Sequence, residues 1–169
     1  MDDRVYRQVG FTLIELLVTI MVLAIIAAAG APAWRGLIES NRVNSDIRSL
    51  KQALSYARSE AVTTGGDVSV CSMELDNDGR RNGCGDKDDW KNGWIVFSGD
   101  AFDAAAVLRV GDKMKSDVVD VNQARAEFSQ RGSVPLERSG TWNFCAGNAE
   151  KALTLAPSGR FRLKEPDCP

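Results

Sequence analysis

The sequence has no histidine. That removes the commonest general base near neutral pH and the commonest metal ligand. No CxxC pair occurs among its four cysteines, so a zinc site would need all four or help from carboxylates. Bulk positive charge is also missing: 21 Lys and Arg against 23 Asp and Glu give a formal net charge of −2. With a pI of about 5.2 there is no general field to attract nucleic acid. The chain shows no nucleophile paired with a base and no phosphate-binding loop after a strand. An enzyme is therefore not expected, and no cofactor or metal is called for. Its 169 residues suffice for one domain plus an anchor.

What is present is one apolar run, "RQVGFTLIELLVTIMVLAIIAAAGAPAW", residues 7–34. From Phe11 to Trp34 its single ionisable side chain is Glu15. A helix of about 20 apolar residues crosses a bilayer. Arg4 and Arg7 precede the run, and orientation follows Lys and Arg rather than net charge, so the short N-terminus stays cytoplasmic and the rest is exported. Ala27–Ala31 could imitate a signal-peptide cleavage site, which leaves ordinary secretion as an alternative.

An even cysteine count behind a membrane-targeting N-terminus favours disulfides in an oxidising compartment. Cys71, Cys84, Cys145 and Cys168 allow three connectivities. Sequential pairing, Cys71–Cys84 and Cys145–Cys168, gives two short loops and is preferred; each bridge would contribute roughly 3 kcal/mol on loop entropy. Four reduced, buried thiols are the other option.

The start of the run, "GFTLIELL", has Gly10 directly before Phe11 and Glu15 four residues later. It resembles the prepilin cleavage motif of type IV pilins and type II secretion pseudopilins. The resemblance implies a leader, residues 1–10, that a prepilin peptidase removes after Gly10. It also implies an N-methylated Phe11 and a helix that serves as inner-membrane anchor and then as filament core. An intramembrane carboxylate is costly and calls for a partner. The cationic amine created at Phe11 would lie about 6 Å away along the axis. The family implies that Glu15 pairs with that amine on a neighbouring subunit. Gly30 and Pro32 match the loosened stretch of pilin helices, and Pro32 removes a backbone donor.

Beyond Trp34 the composition turns polar while the period persists. Val43, Ile47, Leu50, Leu54, Ala57 and Ala61 form one apolar stripe, with Arg42, Asp46, Arg48, Lys51, Arg58 and Glu60 assigned to the other face. Gly65–Gly66 ends the pattern. One helix is thus expected over residues 11–63: a transmembrane part, 11–34, and an amphipathic part within 35–64. A coiled-coil partner is the alternative use of the stripe. Residues 65–169 read as a β domain with nine short strands, including Val68–Ser72, Trp94–Ser98 and Ser133–Leu136. The fold class is α+β: a long N-terminal helix on an antiparallel β domain of two sheets. "WKNGWIVF", residues 90–97, and the late "LTLAPSGRFR" look like the GspH-type pseudopilin and FimT/FimU-type minor pilin group.

Two loops are candidate sites. "ELDNDGRRNGCGDKDDW", residues 74–90, is acidic and glycine-rich but fails the EF-hand pattern, since its twelfth position is Lys87. A solvated loop pinned by Cys71–Cys84 is favoured. "PSGRFRLKEPDC", residues 157–168, resembles the DNA-binding tail of FimT-type pilins at Gly159, Arg160 and Arg162. Arg160, Arg162 and Lys164 would share one face if on a strand and contact phosphates without reading bases. A polar strand face or a surface meeting another pilin is the alternative. The resemblance implies a minor type IV pilin in a priming or tip complex, acting in twitching motility and adhesion, with other major and minor pilins as partners. A type II secretion pseudopilin and a DNA-uptake pilin are the alternatives.

Overall fold

The computed structural model describes residues 11–166 and 168, except for the side chains of residues 29–33 and 118. The leader, with Gly10, Arg4 and Arg7, lies outside the described residues. The chain divides into two compact units, Met1–Leu37 and Ile38–Pro169. Helix α1, Leu13–Thr64, enters both.

In the first unit, residues 13–28 are helical and apolar apart from Glu15 and Thr19, with every side chain exposed. A helix that is apolar all round belongs in a membrane or a core. The expected span over residues 11–34 includes side chains outside the described residues; among the described residues no helix is long and apolar enough to cross a membrane. Gly30 and Pro32 keep the helical assignment, and their side chains lie outside the described residues.

In the second unit the helical stripe is the core's spine. Val43, Leu50, Leu54, Ala57 and Ala61 are fully buried and Ile47 nearly so. Gly65, at φ +69°, closes the helix with its N–H on Ala61 O at 3.0 Å, a left-handed cap open to glycine at little cost. The chain then forms β1 (Val68–Leu75), β2 (Arg81–Cys84), β3 (Trp94–Ser98), β4 (Val107–Val110), β5 (Val118–Val121), β6 (Arg125–Phe128), β7 (Gly140–Ala146), β8 (Ala149–Leu155) and β9 (Phe161–Lys164). One antiparallel sheet has the order β2-β1-β3-β4, with β6 also on β1; the other has the order β5-β7-β8-β9. This is the α+β, two-sheet architecture expected.

Residues from both sheets close over the helix. Val68, Val70 and Val96 come from the first sheet, and Trp142, Phe144, Leu153 and Leu155 from the second. Trp90 and Trp142 meet edge to face, 5.4 Å between centroids, and the Trp90 indole N–H donates to Gln123 O at 2.8 Å. Trp94, the first residue of buried strand β3, donates to Ser49 Oγ of α1 at 3.1 Å. Gly93 (φ +118°) allows the tight entry to β3, where any Cβ would lie 2.6 Å from Gly111 O.

Three expectations are corrected. Ser133–Leu136 is not a strand: Pro135 has no N–H to give a ladder, and Leu136–Arg138 forms a 3-10 turn instead. "RNGC", residues 81–84, expected as solvated loop, is β2, paired on β1 with Met73 opposite Cys84. Asp46, assigned to the solvated face, is 3% exposed. Its Oδ2 accepts from Lys115 N–H at 2.8 Å, Ser116 N–H at 2.7 Å and Ser116 Oγ–H at 2.7 Å. The residues it holds belong to the segment that leads from β4 to β5, that is, from one sheet to the other.

Candidate functional site

At the start of α1, Phe11 stands just outside the helix and is 82% exposed. Thr12 precedes the first helical residue, and its Oγ1 accepts the Glu15 N–H at 3.3 Å. Thr12 is therefore the N-cap and Glu15 the third residue of the first turn. The carboxylate also lies where the helix dipole favours negative charge. Thr-x-x-Glu is the sequence signature of a capping box, so this role of Thr12 was readable and was missed. In the uncut chain the Phe11 nitrogen is an amide and carries no charge. Cleavage before it would place a cation one residue outside the cap, within one helical turn of Glu15.

The four cysteines form two bridges, Cys71–Cys84 and Cys145–Cys168. The first ties β1 to β2. The second closes the C-terminal tail onto β7. Among the described residues, no three Cys, Asp or Glu side chains are grouped to hold a metal. In the 74–90 loop, Asp76 Oδ1 accepts the N–H groups of Asp78 and Arg80 at 3.0 and 2.7 Å. Asp89 Oδ2 accepts the Asp86 N–H at 2.9 Å. These carboxylates shape their own turns.

The C-terminal cations are only partly brought together. Arg162 and Lys164, two residues apart on β9, lie opposite Thr154 and Ala152 of β8 and line one shallow concavity of about 340 Å³. Arg160 lies in the turn before β9, where its carbonyl accepts the Ala156 N–H at 2.9 Å, and it does not line that concavity. Gly159 is structural: at φ +72° it packs so that a Cβ would come 2.3 Å from Gly132 O. Its carbonyl accepts from Arg58 Nη1 at 2.9 Å, tying the turn to α1.

A long helix whose second half carries two antiparallel sheets, with a Phe–Thr–x–x–Glu start, defines a pilin-like protein. The family model described as type II transport protein GspH matches residues 46–159, and that of the prokaryotic N-terminal methylation motif matches residues 7–31. The chain belongs to the GspH family. Among solved structures it is similar to the type IV minor pilin FimU of Pseudomonas aeruginosa strain PAO1, with a TM-score of 0.55 and 22% identity over 73% of this chain and 89% of that one. A second crystal form of FimU gives a TM-score of 0.52, again at 22% identity, over 72% and 91%. The minor pseudopilin EpsH from the type 2 secretion system of Vibrio cholerae follows at 0.45 and 13% identity, over 73% of this chain and 97% of EpsH. No curated protein sequence matches.

Proposed function

We propose that the chain is a minor type IV pilin, a structural subunit and not an enzyme. On this reading, prepilin peptidase cuts after Gly10 and Phe11 is N-methylated. The apolar helix then holds the protein in the bacterial inner membrane as a single-pass protein with a periplasmic domain, until it enters a pilus. There it joins other major and minor pilins in a priming or tip complex that supports twitching motility and adhesion. The observation that carries this is the helix start: an exposed Phe11, a capped first turn and Glu15 as the sole charge of an apolar stretch, in a chain of FimU-like fold. Glu15 then supplies the negative half of an ion pair with the Phe11 amine of a neighbouring subunit and sets axial register. A deletion strain should lose most surface pili by electron microscopy; normal piliation and twitching would refute it.

The GspH family description supports a second reading, a type II secretion pseudopilin. In that case the deletion strain keeps its pili and retains exoproteins in the periplasm. The shared Arg162–Lys164 face of β9 supports a third, a DNA-uptake pilin, with Arg160 in the turn before that strand. It expects DNA to be retarded at low salt, and Arg160→Ala with Arg162→Ala to abolish this. An unretarded DNA band at low ionic strength removes that reading.

A further inference from the structure

The outer face of α1 is uncovered along a seam between the two sheets. Arg48 lines three adjoining concavities of about 360, 660 and 210 Å³. Lys51 lines the second and third of these. Arg109 of β4 walls the second, and residues 161–163 of β9 wall the third. No acidic side chain lines any of them. From residue 40 to residue 59, about 30 Å of helix, the lone carboxylate is Asp46, which is buried and turned to the 115–116 segment. Arg48, Lys51 and Arg109 take part in none of the four ion pairs among the described residues. The Arg109 guanidinium sits 3.7 Å from the Tyr56 ring centroid, a stacking that orders it beside the helix.

A chain of net charge −2 with such a face must carry excess negative charge elsewhere. Part of that charge lies at the β1–β2 hairpin and the turn that follows. Glu74, Asp76, Asp78, Asp86 and Asp88 are exposed there, against Arg80, Arg81 and Lys87. The order β2-β1-β3-β4 puts this acidic hairpin and Arg109 at opposite edges of one sheet, three strand spacings or about 14 Å apart.

We propose that the cationic seam of one copy receives the acidic β1–β2 hairpin of a second copy. The two surfaces differ, so the contact is heterologous: each copy keeps a free seam and a free hairpin, and the association can propagate. This interface is separate from the Phe11–Glu15 pairing and does not require it. It holds whether the chain serves a pilus or a secretion machine.

The test uses the full chain in a zwitterionic detergent, followed by sedimentation velocity. The parent should self-associate at low ionic strength. The association should weaken by about tenfold or more at about 1 M salt, where the Debye length is ~3 Å. Arg48→Glu with Lys51→Glu should abolish this salt-sensitive part, and so should Asp78→Lys with Asp88→Lys. All four side chains are exposed, so the melting temperatures should stay at the parent value. Mixing the two double variants restores complementary charge and should restore association. Glu15→Gln should leave it intact, which separates this contact from the helix-start reading. Association of either double variant at the parent's strength, or no recovery on mixing, overturns the proposal. So does a parent without salt-sensitive association, whether or not its seam retards a phosphodiester oligonucleotide in a way lost in Arg48→Glu with Lys51→Glu.

Discussion

Replacing Asp46 by alanine should be among the most damaging single changes available to the two-sheet domain. One oxygen, Asp46 Oδ2, accepts two backbone N–H groups and one hydroxyl at 2.7–2.8 Å in a site that is 3% exposed. A hydrogen bond to a charged group contributes about 1.5–3 kcal/mol, and removing a shared acceptor orphans its donors without a simple sum. Three donors lose their acceptor together, on the segment that carries the chain from one sheet to the other. The expected loss is about 3–5 kcal/mol, a large part of a domain's ~5–15 kcal/mol. For a domain of this size it should lower Tm by about 10–20 °C. Asp46→Asn keeps one acceptor oxygen and should cost about 1–3 kcal/mol. Arg42→Ala is the control on the same helix: its 3.6 Å contact to Asp117 is half-exposed and should be worth under about 1 kcal/mol. Urea and thermal unfolding of a fragment from Ile38 to Pro169 would measure all three. A loss below about 1 kcal/mol for Asp46→Ala, or one equal to that of Arg42→Ala, would refute the view that this carboxylate fastens the crossover to the helix.

Glu15→Gln should be cleaved normally, as followed by the mass of the mature chain, but should enter filaments poorly; unchanged incorporation would defeat the ion-pair reading. Replacing Cys145 and Cys168 together by serine should cost about 3 kcal/mol in urea unfolding, since their 23-residue separation closes a substantial loop of the unfolded chain. Gly159→Ala should destabilise by at least about 1 kcal/mol, because φ +72° is strained for alanine and its Cβ would need Gly132 O to move from 2.3 Å. Gly66→Ala, with only Thr64 Oγ1 at 3.9 Å, should be nearly neutral in the same thermal melt.

The features that were legible in the sequence are those fixed by neighbours along the chain. The period of Val43, Ile47, Leu50, Leu54, Ala57 and Ala61 gave the buried face of α1 because helical geometry puts those positions on one side. The bounds of β3 and β5 followed from β-branched and aromatic runs between turns. Strand β2 was missed because "RNGC" has no apolar alternation; pairing with β1 and the Cys71–Cys84 bridge hold it in the sheet. Ser133–Leu136 misled in the opposite way: it has strand-forming residues, but Pro135 cannot supply a ladder donor.

Charge was harder to place than hydrophobicity, and Asp46 and Arg48 show why. Two positions apart on one helix, both fall in the polar set of a helical pattern, and nothing local separates them. What buries Asp46 is Lys115 and Ser116, some 70 residues later, whose donors the inward-turned carboxylate accepts. What leaves Arg48 exposed is the gap between β4 and β9, two edge strands that approach the helix without covering it. A polar residue's role therefore depends on which distant backbone donors reach it. A face that no distant segment covers keeps its charge for another molecule. Along α1, that uncovered charge is all of one sign between residues 40 and 59, and a surface of one sign selects a partner of the other.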